Sequence, residues 1–153
     1  MPNTYTQIYI QAIFAVKGRH NLIQDEWKND LFAYIGGLIN NLGQKTIIVN
    51  GYRNHVHLFF EFKPVTNLSE LIKKVKANAS KYMNDKRYSP GRFEWQEGYS
   101  AFSYSQSHIN NVFKYIQNQE EHHRKKTFKE EYISFLKLYN IPYDEKYFFE
   151  WNE

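Results

Sequence analysis

Asn54-His55-Val56-His57-Leu58-Phe59-Phe60 is the stretch from which the rest of the chain can be read. Side chains alternate along an extended strand, so His55 and His57 share one face while Val56 and Leu58 take the other. Two imidazoles on one strand face make half of a metal site, although alone such a pair is more often surface or hydrogen-bonded strand residues than ligands. Just before it, Thr46-Ile47-Ile48-Val49-Asn50-Gly51-Tyr52 is a second β-rich run. The short join predicts an antiparallel hairpin, with Asn50-Gly51 as its turn or as a bulge. Lys63-Pro64 closes the histidine strand, because proline cannot extend the ladder.

Outward from the hairpin, residues 5–16 are rich in β-branched and aromatic side chains and end at Lys17-Gly18-Arg19, which predicts a first strand. Residues 21–41 place Leu22, Ile23, Trp27, Leu31, Phe32, Ile35, Leu38 and Ile39 at helical spacing, with Gly43 available as a cap. Residues 65–82 are the clearest helix, capped by Thr66 or Asn67, with Leu68, Leu71, Ile72, Val75, Ala79 and Tyr82 on one face. A strand over 93–105, a helix over about 108–122 and a last helix over 127–139 complete the order. β-α-β-β-α-β with trailing helices predicts an α+β fold: a ferredoxin-like (split βαβ) antiparallel sheet, helices on one face, and additional C-terminal helices. The other sheet face is left for a ligand or an added helix.

The 153 residues suit a single domain with a real core. There is no cysteine, which excludes zinc fingers, thiol nucleophiles and disulfide scaffolds and makes a cytoplasmic location the expectation. Neither a signal-peptide pattern at the N-terminus nor a membrane-length apolar run is present in the sequence. A net charge of +4 permits nucleic-acid binding without requiring it. With 13 Tyr and 12 Phe, the chain has aromatic side chains enough for both a core and stacking on unpaired bases.

A metal held by His55 and His57 needs a third ligand. Glu61 shares their strand face, but lies about 13 Å along from His57 at ~3.3 Å per residue. The helix near 106–122 is a better source, because Tyr115 and Gln119 are four residues apart and stack on one helical face. Gln119 offers an amide oxygen as third ligand. Tyr115 offers a phenol, a poor nucleophile at its usual pKa of about 10. A divalent cation polarising a phosphodiester would lower the barrier to its attack.

His-hydrophobic-His on a strand followed by Tyr-x-x-x-Gln on a late helix resembles the single-tyrosine HUH transposases of small bacterial insertion sequences, including the related enzymes that act on repetitive extragenic palindromes. The likeness extends through Trp95-Gln96-Glu97-Gly98-Tyr99-Ser100-Ala101-Phe102-Ser103 and Tyr115-Ile116-Gln117-Asn118-Gln119-Glu120-Glu121-His122-His123, with Phe128 and Glu131 following in place. Tyr104 departs from the pattern, where relatives usually carry an aliphatic residue.

The resemblance implies that residues 1–153 form one transposase catalytic domain, with Tyr115 as nucleophile and His55, His57 and Gln119 as metal ligands. It implies attack on single-stranded DNA, a 5′-phosphotyrosine intermediate with a free 3′-hydroxyl, and religation by a second 3′-hydroxyl. It also implies recognition of DNA hairpins and a homodimer, often with each tyrosine helix docked on the partner's histidines. Phosphate and amide oxygens favour Mg²⁺, while two imidazoles favour Mn²⁺, and either ion is expected to serve.

Lys73, Lys74, Lys76, Lys81 and Arg87 along the second helix, with Arg124 and Lys125 after the late one, are candidate DNA contacts. His122 and His123 read as part of that basic, DNA-facing helix end rather than as metal ligands. Trp95 and Phe102 read as core. Two other classes compete: a non-catalytic module that binds single strands, and a metal-dependent phosphoesterase using water. The first leaves the histidines unexplained, and the histidine-triad form of the second would want histidine where Phe59 stands.

Overall fold

In a computed structural model, residues 3–152 are described; Met1, Pro2 and Glu153 lie outside the described residues, so expectations on the extreme termini do too. Four strands, β1 (Tyr9–Ala15), β2 (Lys45–Gly51), β3 (His55–Glu61) and β4 (Ser100–Tyr104), form one sheet in the order β2-β3-β1-β4. Every pairing is antiparallel. Helices α1 (Lys28–Asn41) and α2 (Leu68–Lys86) are the two crossovers of the split βαβ arrangement, and α3 (Ile109–Gln117), α4 (Gln119–His122) and α5 (Phe128–Leu138) follow β4.

The two central strands are buried along almost their whole length, because helices cover both sheet faces. Ile10, Ala12 and Phe14 of β1 and Val56, Leu58 and Phe60 of β3 join Leu31, Ile35, Ile39, Leu71, Ile72, Val75 and Ala79 in the larger core under α1 and α2. The opposite parity faces α3 and α5. There Ile13 and Ala15 pack with Phe102, Phe128, Tyr132 and Leu136, and Phe59 packs with Val112 and Ile116. His55 and His57 belong to this second face. The face predicted to be open to a ligand or an added helix is thus covered by the C-terminal helices.

Several boundaries differ from the sequence reading for local reasons. Tyr5 is exposed, and pairing begins only at Tyr9. Arg19–Asn21 is a 3-10 turn, and the segment up to Trp27 is tied down by the Ile23 N–H donating to Arg53 O, so α1 starts at Lys28. Asn50 and Gly51 sit within β2, opposite His57 and Val56; the bulge falls between Thr46 and Ile48. A Cβ at Gly51 would collide with the backbone oxygen of His55, which is why the hairpin needs glycine there. The fourth strand is short: Trp95 makes a single bridge to Val16, and Gly98, at φ +83°, turns the chain before β4 begins. The helix expected over 108–122 breaks at Asn118 (φ −97°, ψ 28°) into α3 and α4.

Asn67 caps α2 by accepting from the Glu70 N–H at 2.8 Å. Thr127 and Glu130 form a reciprocal capping box at the start of α5. Among the described residues no helix is long and apolar enough to cross a membrane.

Candidate active site

Glu131 is where the second sheet face, α3–α4 and α5 meet. The capping box fixes where α5 begins, and the stripe Phe128, Glu131, Tyr132 and Leu136 then points at the sheet. Phe128 lies flat on the His55 imidazole, with ring centroids 3.9 Å apart and planes within 2°. Glu131, one turn on, therefore enters between the histidines.

One carboxylate oxygen of Glu131, Oε1, is 3.3 Å from His55 Nε2, 3.2 Å from His57 Nε2 and 3.2 Å from His123 Nε2. Its other oxygen, Oε2, accepts from Gln119 Nε2 at 3.1 Å and from the Tyr115 hydroxyl. Gln119 Oε1 faces His55 Nε2 at 3.1 Å and His123 Nε2 at 3.2 Å. His55, His57 and Gln119 are fully buried, and Glu131 nearly so.

The outer ring nitrogens are held as well. His55 Nδ1 lies 2.7 Å from Asn54 Oδ1, and His57 Nδ1 lies 2.6 Å from Gln11 Oε1. Gln11 in turn donates to the Tyr104 hydroxyl at 2.8 Å, so the residue that departs from the resembled family buttresses a histidine. Asn54 also donates to Trp151 O at 2.8 Å, which links the C-terminal segment to the site. Carboxamide oxygens accept, so Nδ1 carries the proton in both rings and Nε2 is left facing inward.

Electrostatics follow from this burial. Desolvation pushes the His55 pKa down to about 4, against the opposing pull of Glu131. Burial works to raise the Glu131 carboxyl, but the imidazole edges of His57, His123 and His55 turned toward it outweigh burial and hold it far below the usual carboxylate range. The Tyr115 phenol is raised well above its ordinary value by burial and by the adjacent Glu131 charge.

A divalent ion suits this donor set. The ligand atoms of His55, His57 and Glu131 lie within 4.8 Å of one another and are buried together, so these three residues can hold a metal. Glu131 was not among the ligands expected from the sequence. Its signal was present, as an acid inside the apolar stripe of a well-capped helix. The structure brings Tyr115, His55, His57 and Gln119 together despite the helix break, with Tyr115 reaching the histidines of its own chain (6.2 Å between the His57 and Tyr115 rings). His123 departs from the expectation of a basic, DNA-facing helix end: its side chain is 2% exposed and turned into the cluster. His122 instead stacks on the Tyr115 ring.

The candidate DNA contacts are dispersed. Lys73, Lys74, Lys76, Lys81 and Arg87 belong to α2 and its cap, in the layer across the sheet from the histidines. Lys76 donates to Gln96 O and Gly98 O, and Lys81 pairs with Asp85 at 2.8 Å. Arg124 pairs with Glu121 at 3.2 Å, and Lys125 is exposed, both close to the cluster in sequence.

Two solved structures share the fold. A protein of Deinococcus radiodurans R1 provisionally assigned as a transposase aligns with a TM-score of 0.60 at 20% identity, over 76% of this chain and 94% of its own. A REP-associated tyrosine transposase bound to a REP hairpin aligns with a TM-score of 0.58 at 10% identity, over 79% and 72%. No curated protein matches the chain in sequence. Residues 4–119, from before β1 through the Tyr115 and Gln119 positions, match the model of the family described as "Transposase IS200 like". The chain therefore belongs to the IS200-like transposase family of DNA-processing enzymes.

Proposed function

We propose that residues 1–153 act as one catalytic unit that cleaves and rejoins single-stranded DNA through a covalent phosphotyrosine at Tyr115. One observation carries the reading: the Tyr115 hydroxyl, the Gln119 amide and the inward nitrogens of His55 and His57 all converge on Glu131. A phenol inside a metal-ligand cluster is poorly explained by packing. A hydrolase relying on water would have no use for it.

A divalent ion, Mg²⁺ or Mn²⁺, would be held by His55, His57 and Glu131 with Gln119 as a further oxygen donor, and would neutralise charge on the attacked phosphate. The Tyr115 oxygen attacks phosphorus and the bond to the 3′-oxygen breaks. The Tyr115 hydroxyl is oriented by donating to Glu131 Oε2; it gives up its proton to solvent as it attacks, and a proton from solvent reaches the 3′-oxygen, so the departing strand leaves with a 3′-hydroxyl. Attack by a second 3′-hydroxyl on the 5′-phosphotyrosine reverses these bond changes, so no external energy source is needed.

Recognition of DNA hairpins is part of the proposal, supported by the hairpin-bound state of the second structural neighbour. Arg124 and Lys125, close to the cluster in sequence, would follow phosphates near it, and Lys73, Lys74, Lys76, Lys81 and Arg87 on α2 and its cap would follow phosphates on the opposite face of the sheet. The homodimer implied by the resemblance would pair two sites. The Tyr115 hydroxyl lies beside the Glu131 and His57 side chains of the same chain, which supports sites formed within each chain.

The test is incubation with end-labelled single-stranded DNA containing a hairpin and Mn²⁺, followed by a denaturing gel. An adduct lost in Tyr115→Phe is expected. Cleavage that survives in Tyr115→Phe means hydrolysis by water, and binding without cleavage means a non-catalytic module.

A further inference from the structure

We propose that His123 is itself a metal ligand, adding a third imidazole to the centre formed by His55, His57, Glu131 and Gln119. The inference rests on the metal site of the proposed function but is independent of phosphotyrosine chemistry.

The decisive contact is outside the cluster. His123 Nδ1 lies 2.8 Å from the backbone oxygen of Lys126, and a backbone carbonyl can only accept. The proton must therefore be on Nδ1, which leaves the Nε2 lone pair of a neutral ring aimed inward. What Nε2 faces is Gln119 Oε1 and Glu131 Oε1, each at 3.2 Å, and both are acceptors.

His55 and His57 repeat the pattern, with Nδ1 donated to Asn54 Oδ1 and Gln11 Oε1. Three inward nitrogens thus surround one carboxylate oxygen. A divalent cation held by His55, His57 and Glu131 would have the His123 Nε2 lone pair beside it, 3.2 Å from Glu131 Oε1.

The spacing agrees with that role. For ligand bonds of about 2.0–2.2 Å, adjacent donors in a coordination shell lie roughly 3.0–3.5 Å apart. The contacts between His55, His57 and His123 Nε2 and Glu131 Oε1, and from His55 and His123 to Gln119 Oε1, span 3.1–3.3 Å. The His123 ring also lies edge-on to His55 at 4.8 Å and is stacked by Tyr52 at 4.9 Å, so it is braced in this orientation. Three imidazoles weight the choice of ion away from Mg²⁺, which is reluctant to shed water, toward Mn²⁺ and later first-row ions.

The test uses the full chain without DNA. Pulsed electron paramagnetic resonance of the Mn²⁺-loaded protein counts directly bound imidazole nitrogens, and calorimetry measures Mn²⁺ and Mg²⁺ affinity. The expected count is three in the unmodified protein and two in His123→Ala. Mn²⁺ affinity in the variant should fall by more than the roughly 100-fold upper range for losing a merely positioning partner. A count of two in the unmodified protein, or no Mn²⁺ binding by it, overturns the assignment even if the variant fails to fold. Three nitrogens bound while phosphotyrosine never forms would sink the proposed function and leave this assignment standing.

Discussion

Removing the Asn54 side chain should loosen the metal centre without touching a ligand. Asn54 is 5% exposed and spends both ends of its carboxamide: Oδ1 holds His55 Nδ1 at 2.7 Å, and Nδ2 donates to Trp151 O at 2.8 Å. Alanine leaves an imidazole N–H and a backbone carbonyl unpaired, at about 1–3 kcal/mol each, so a loss of roughly 2–6 kcal/mol is expected in urea unfolding. His55 also loses the contact that fixes its tautomer, which costs about 10–100-fold in metal affinity, or roughly 1.4–2.7 kcal/mol. Asn54→Asp separates the two effects. Its carboxylate still accepts from His55 Nδ1 but cannot donate to Trp151 O, so Mn²⁺ affinity should recover while part of the stability loss remains. Folded Asn54→Ala protein that binds Mn²⁺ within twofold of the unmodified chain would refute the reasoning.

Three further outcomes follow from the same contacts. Thr127→Ala removes the side-chain half of the α5 capping box and should cost about 1 kcal/mol in urea unfolding; no loss would show that α5 is placed by packing alone. Gly51→Ala forces a Cβ onto the His55 backbone oxygen and within 3.0 Å of Val56 Cα, so about 3 kcal/mol should be lost, with Mn²⁺ binding lost in step. In pH, His55 binds fewer protons folded than unfolded between its ordinary 6.5 and about 4, so stability is full above that window and falls as pH is lowered through it. Taken over the whole window, the His55 contribution is about 3 kcal/mol at most. Glu131, held below the usual range, acts in the same direction, with its contribution lost as pH falls further. A urea midpoint that is flat between pH 7 and pH 5 would contradict the buried, neutral His55.

How much of this was legible in the sequence depended on the range of the interaction involved. Alternation along β3 put His55 and His57 on one face and Val56 and Leu58 on the other because the pleat itself requires it. The 3.6-residue period of α2 likewise located Leu71, Ile72, Val75 and Ala79 in the core. Breaks were harder to read. Asn118 interrupts a run with continuous helical spacing, and Gly98 separates Trp95 from β4 although the residues on both sides favour strands. Glu131 lay furthest from sequence logic. Its contacts to His55 and His57 span 76 and 74 residues, and the phase in which α5 settles on the sheet comes from packing of Phe128 and Tyr132. His123 was obscured by its neighbours: Arg124, Lys125 and Lys126 mark an exposed helix end, and one inward-turned ring beside them leaves no periodic trace.

The central claim is that the Tyr115 oxygen, beside Glu131 and the histidine pair, becomes covalently joined to DNA. The most direct measurement is mass spectrometry of peptides from the full chain after incubation with Mn²⁺ and a hairpin-bearing single strand. A 5′-linked nucleotide is expected on the peptide carrying Tyr115, absent in Tyr115→Phe and in Glu131→Ala. A nucleotide found on another tyrosine, or cleaved strands with no modified peptide, would contradict it.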